Sequence, residues 1–185
     1  MKRLVKFILV LCIVAGLILA GRQFYLRMAY PQKYTEYVEQ YSTEYGVSES
    51  LVYAVIKCES GFDPDAESPI GARGLMQITP DTFAWAQTKM PGGGEQLGAD
   101  ALWDEQVNIR YGVFLLCLHL NEFSDVGTAV AAYHAGRGQV NSWLADPECA
   151  PDGKTLETIP YKDTRTYVER VKKTIQIYKD LYKAE

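Results

Sequence analysis

Glu59 is the residue of this chain best placed by its neighbours to do chemistry. Ser48 is a good N-cap, Glu49 suits a first helical turn and Gly61 is a stop, so the spacing predicts a short helix over Leu51 to Ser60. Leu51, Val52, Val55 and Ile56 form its apolar stripe. One further turn along that stripe, from Val55, reaches Glu59. A carboxylate on the inward side of a helix, in its last turn, faces apolar surroundings and the negative end of the helix dipole. Both disfavour the ionised form and raise its pKa. That is how a glutamate becomes a general acid near neutral pH. The helix alone weighs equally for a plainer reading, in which Glu59 pairs with Arg73 or Arg110 and only holds the helix in place.

Other chemistries find less support. The two histidines, His119 and His134, have no neighbouring cluster with ligand spacing, so no metal is expected. No glycine-rich loop runs into Lys-Ser or Lys-Thr, so there is no phosphate cradle and no cofactor is expected. Gly71 and Gly74 instead suit a tight bend or a close approach to a ligand. A Ser–His–Asp nucleophile lacks an elbow motif. Cys58, Cys117 and Cys149 are odd in number and have no CxxC spacing, which argues against a disulfide framework.

The elements that must position Glu59 read as helices throughout. Gln32 to Tyr45 carries Tyr34, Tyr37, Val38, Tyr41 and Tyr45 on one face, with Gly46 as its stop. Phe62 to Arg73, rich in Pro, Gly, Asp and Ser, reads as loop. Thr79-Pro80 opens a helix to about Met90, and Pro91-Gly92-Gly93-Gly94 ends it in a flexible loop. Asp104 starts the most apolar helix, Val107 to Phe123, expected at the centre of the bundle. Ser124 or Asp125 caps a small-residue helix stopped at Gly136, Val140 to Leu144 is short, and Thr164 to Tyr182 is a final amphipathic helix. No strand alternation and no repeat appears; the fold class is all-α.

The first 30 residues stand apart. Lys2, Arg3 and Lys6 precede an apolar run from Phe7 to Gly21, and the first acidic residue is Glu36. Counted from Leu4 with Lys6 snorkelling, the run just spans a bilayer. Cutting after Ala20 or Gly21 would leave Ile18 or Leu19 at −3, poor for a signal peptidase. Residues 1–30 are therefore expected to be a cytoplasmic basic tip, an uncleaved anchor (about 4–21) and a short linker, with 31–185 as one extracytoplasmic globular domain. Five of the 19 basic residues lie in that segment, leaving 14 against 23 acidic ones in the domain. Such a surface repels nucleic acid, whose binding rests on phosphate neutralisation.

Several motifs together carry a resemblance. Glu59-Ser60-Gly61-Phe62, Ser68 and Gly71-Ala72-Arg73-Gly74-Leu75-Met76-Gln77 resemble the soluble-lytic-transglycosylase (SLT) family of peptidoglycan-cleaving enzymes. So do Asn108-Ile109-Arg110-Tyr111-Gly112, Ala132-Tyr133-His134-Ala135-Gly136, Glu157-Thr158-Ile159-Pro160-Tyr161 and Thr164-Arg165 with Tyr167-Val168, in the family's order. The resemblance implies a lysozyme-like helical domain with a glycan-binding groove, and Glu59 as single general acid/base. The glutamate would protonate the leaving glycosidic oxygen between MurNAc and GlcNAc. As carboxylate it would then take the proton of the muramyl C6 hydroxyl, which closes a 1,6-anhydro ring without water. Asp63, Asp65 and Glu67 read as turn formers and solvent-facing charges.

Carried over by position, Ser68 would help hold an N-acetyl group or the reacting sugar. Gly74, Leu75, Met76 and Gln77 would form a groove wall, with Met76 as apolar contact and Gln77 as hydrogen-bonding group. Tyr133 would point its hydroxyl at Glu59, and Tyr167 would line the same cleft. His134 departs from the family's Asn; a positive His134 would lower the Glu59 pKa and weaken its acid role. Two other functions remain open. One is a hydrolytic muramidase of goose-lysozyme type, the other a non-catalytic peptidoglycan-binding scaffold recruited to cell-wall or division machinery. The partners expected are glycan strands and, through the first helix, the membrane.

Overall fold

The computed structural model describes residues 2–91 and 96–182. Its helices are α1 (Lys2–Ala29), α2 (Thr35–Tyr45), α3 (Glu49–Glu59), α4 (Pro80–Lys89), α5 (Glu105–Glu122), α6 (Val126–Ala135), α7 (Arg137–Leu144) and α8 (Lys162–Tyr182), with a 3-10 turn at Ala99–Trp103. Among the described residues there is no strand beyond two isolated bridges, Glu67 with Arg73 and Arg73 with Ile78. The domain is all-α, as the periodicity predicts. The expected loop at Gly92 to Gly94 lies outside the described residues.

The boundaries have local causes. Helix α2 starts at Thr35 rather than Gln32 because Tyr34 adopts a left-handed backbone (φ 58°); Gly46, also left-handed, ends it. Thr79 accepts from the Thr82 amide to cap α4, Asp104 caps α5 at Val107, and Asp125 caps α6 at Gly127 and Thr128. Gly136 (φ 87°) ends α6 and begins α7 at once, so α7 starts three residues before Val140. The 3-10 turn was not anticipated. It is short, and Asn108 of α5 pins it by donating to the Leu102 carbonyl (2.8 Å).

Helix α5 is the hub, packed against α2, α4, α6 and the 3-10 turn, with Ile109, Val113 and Leu116 fully enclosed. Helix α3 lies along α8, and α6 packs on both α5 and α8. Four of the 13 tyrosines form a connected cluster around the end of α8. Tyr53 stacks on Tyr178 (5.3 Å), which stacks on Tyr182 (5.9 Å) and meets Tyr30 edge-on. Helix α1 leaves the domain with its apolar side chains exposed, from Leu4 to Leu19. At its base the Tyr178 and Tyr182 hydroxyls donate to the carbonyls of Pro31 and Tyr30.

Candidate active site

Glu59 closes α3, and the chain then turns sharply. Gly61 and Phe62 both take positive φ (63° and 71°), and Phe62 buries its ring against Tyr53. A non-glycine residue in that region is strained, and the ring's burial offsets the cost. Ser60 ties the turn to the next loop by donating to the Leu75 carbonyl (2.8 Å). The Glu59 carboxyl therefore ends a rigid helix and borders a cleft of about 450 Å3.

Burial raises the Glu59 pKa from 4.5 to about 7. Two groups oppose that rise: the Tyr167 hydroxyl, which donates to Oε1 at 2.5 Å, and the more distant Arg170 guanidinium. For Arg73, one of the two arginines expected as partners of Glu59, the ion-pair reading is not what the structure shows. Arg73 reaches Glu67 (3.4 Å) and Asp100 (3.1 Å) instead, and Arg170 donates to the Cys58 carbonyl (2.9 Å). Arg170, one turn beyond Tyr167 on α8, had no motif to announce it.

Two tyrosines differ from the expected roles. The Tyr133 hydroxyl donates to the Met76 carbonyl (2.8 Å), not to Glu59. Tyr167 takes that place. His134 stacks its ring on Tyr167 (centroids 4.4 Å apart) and its Nδ1 meets the Thr164 hydroxyl (3.2 Å). Its pKa lies below the ordinary value because of burial and Arg170, against the pull of Asp163. A charged His134 beside Glu59 is thus disfavoured; its ring serves to hold Tyr167.

The Gly74 to Gln77 segment is a scaffold more than a wall. Leu75 and Met76 point into the core with no exposed surface, correcting the expectation that their side chains line the groove. Met76 fills the space over Gly112, where a Cβ would collide with its sulfur. Gly74, at φ 72°, is pressed against Asn108 and the Leu102 carbonyl and has no room for a side chain. Asn108, fully buried, accepts from the Met76 amide (2.8 Å) and donates to the Arg73 (2.9 Å) and Leu102 carbonyls. Gln77 donates twice through Nε2, to the carbonyls of Ala66 and Gly74 (both 2.9 Å). Ser68 accepts from the Ala72 amide (3.0 Å), tightening the loop at the cleft mouth.

Ser68, Gln77, Tyr133 and His134 border the cleft together with Glu59, and Glu59 is the one carboxylate among its described lining residues. Asp63 caps its own turn at the Asp65 amide, and Glu67 pairs with Arg73. The cleft continues on both sides. Toward α4 it joins a second one of about 400 Å3 through Thr82, Leu115 and Tyr133. Toward Tyr161 it joins a third of about 540 Å3 through His134 and Ala135. The Glu59 cleft thus has a neighbouring cleft sharing residues with it on each of these sides.

The transglycosylase SLT domain family matches residues 36–154. The chain belongs to that family. It is 33% identical over 156 residues to the soluble lytic murein transglycosylase of Salmonella typhimurium, covering 83% of this chain and 24% of the relative. It is 35% identical over 117 residues to membrane-bound lytic murein transglycosylase C of Mannheimia succiniciproducens, covering 59% and 33%. In structure it resembles the 70 kDa soluble lytic transglycosylase of Escherichia coli, with a TM-score of 0.76 and 29% identity over 88% of this chain and 26% of that one. The chain thus spans about a quarter of the soluble relatives' length.

Proposed function

We propose that this SLT-family chain is a lytic transglycosylase that cleaves the MurNAc-β-1,4-GlcNAc bond of peptidoglycan and leaves 1,6-anhydro-MurNAc ends. The observation that carries the reading is Glu59: a single cleft carboxylate with a pKa near 7, held by Tyr167 at the edge of that cleft. A two-carboxylate glycosidase needs a partner about 5–9.5 Å away. With no second carboxylate in the cleft to act as nucleophile or base, the reading assigns the nucleophile to the substrate.

With a pKa near neutrality, Glu59 holds a proton in a large fraction of molecules at pH 7 and can give it to the glycosidic oxygen. The carboxylate so formed is stabilised by the Tyr167 hydroxyl and by Arg170, which favours the second half of the reaction. There it accepts the proton of the muramyl C6 hydroxyl as that oxygen attacks C1. Ser68 and Gln77, which border the cleft, are the groups proposed to hold the sugar's amide and hydroxyl groups, and Asn108 supports the loop behind them.

Helix α1 is long and apolar enough to cross a membrane, with a mean hydropathy of 2.7 over its most apolar stretch. With a membrane-bound relative in the family, this supports a single-pass anchor that keeps the groove on the extracytoplasmic side. Mass spectrometry of products from purified peptidoglycan tests the reaction. Muropeptides one water lighter than hydrolysis products, with no oxygen from labelled water, are expected. Reducing-end muramic acid carrying labelled oxygen would make the enzyme a hydrolase.

A further inference from the structure

Beside the Glu59 cleft, the arm of the groove toward α4 has its own polar feature. His119, in the last turn of α5, lines both clefts and is 7% exposed. Its Nδ1 is sealed from solvent and finds no hydrogen-bond partner among the described residues. A neutral imidazole carries one N–H and one bare nitrogen. A buried donor without an acceptor is rarer and costlier than an acceptor without a donor. The proton therefore belongs on Nε2. Burial holds the ring neutral, with a pKa of about 4, Glu122 raising it and Arg137 lowering it.

The surroundings suit an uncharged ligand. Arg137 is spoken for by Glu122, its Nε donating to both carboxylate oxygens (2.7 and 2.6 Å). Asp81 on the same rim disfavours anions. Trp85, 39% exposed, offers an indole ring to a sugar face. We propose that His119 is a specificity residue of the groove, presenting Nε2–H to an oxygen of an N-acetylhexosamine bound beside Trp85. This rests on the glycan-cleaving reading of the same groove.

The probe is the tetramer of β-1,4-linked N-acetylglucosamine, titrated calorimetrically into the full chain in detergent carrying Glu59→Gln. Adding His119→Leu, which keeps apolar volume without a donor, is expected to weaken binding about tenfold, or about 1.4 kcal/mol. His119→Gln, which restores an amide donor at similar reach, is expected to recover affinity to within about threefold. In parallel, nitrogen-15 spectra of the His119 ring should show the proton on Nε2 and a shift of that signal on saturation. Undiminished binding by a folded His119→Leu variant, a proton on Nδ1, or a signal unmoved by saturating tetramer would each overturn the assignment while leaving the enzyme reading intact. Failure of the Glu59→Gln chain to bind the tetramer at all would overturn the His119 assignment, while the product analysis decides the enzyme reading separately.

Discussion

At the scale of single residues, the site turns on how Glu59 is kept protonated near neutrality yet ready to ionise. Its pKa in the folded chain, about 7, exceeds the ordinary 4.5, so the proton is held more tightly in the folded state. The stability tied to that proton is present in full below pH 4.5 and is lost as pH rises through 7. Glu59→Gln cannot suffer the loss. Its melting temperature should match the parent's below pH 4.5 and exceed it above pH 7, by a margin on the order of 3 kcal/mol in free energy. The same variant should lose about two to four orders of magnitude in rate on purified peptidoglycan, the usual cost of removing a positioned acid/base. A Gln variant with a tenth of the parent rate would place the catalytic acid elsewhere. Tyr167 acts in the opposite sense to burial. Tyr167→Phe removes a hydrogen bond to the carboxylate, so the Glu59 pKa should rise further and the alkaline limb of the kcat/KM profile should move to higher pH. An unmoved limb, with only a lower rate, would reduce Tyr167 to a packing residue.

At the scale of elements, the groove depends on how the loop after α3 is clamped to α5. Asn108 satisfies one amide and two carbonyls that are otherwise buried, and Met76 fits over Gly112 because that position has no side chain. Asn108→Ala leaves those groups unpaired and should cost about 1–3 kcal/mol or more in urea unfolding, with a fall in activity although no substrate is touched. Gly112→Ala drives a methyl into the Met76 sulfur and should cost about 1–3 kcal/mol as an overpacked core. Adding Met76→Leu to Gly112→Ala should change the cost of the first substitution, because the two residues are in contact. Strict additivity in that double-mutant cycle would mean the loop and α5 do not share this contact in solution.

At the scale of the whole molecule, α1 stands outside the core and meets the domain only at its base. The base is specific: Arg27 lies over the Tyr182 ring (5.7 Å), and the Tyr178 and Tyr182 hydroxyls bond to the Pro31 and Tyr30 carbonyls. A chain begun near Arg27, which keeps these contacts and drops the apolar span, should stay helical by circular dichroism, need no detergent and cleave peptidoglycan. Loss of the fold or of all activity on that truncation would mean that the first helix is part of the catalytic body. Its apolar surface, exposed from Leu4 to Leu19, should otherwise drive the full chain into detergent or bilayer.

Helix positions, most caps and the inward register of Glu59 were legible in the sequence, because they follow from local spacing: Asp104 before α5, Gly46 and Gly136 at the stops, and Ser48 at the N-cap position of α3, where its side chain nevertheless makes no cap bond. The raised pKa of Glu59 was legible for the same reason, since i+4 spacing puts it on the face of Leu51 and Val55. Tertiary structure decided which tyrosine hydroxyl reaches the carboxylate. Tyr133 and Tyr167 come from different helices, α6 and α8, and one donates to the Met76 carbonyl while the other reaches the Glu59 carboxylate. It also decided that Leu75 and Met76 are core rather than groove, which depends on Gly112 lying opposite on α5. Arg170 and the orphaned Nδ1 of His119 had no local signature at all. The energy of a buried charge or an unpaired acceptor depends on what packs around it, and that neighbourhood is assembled from segments more than a hundred residues apart.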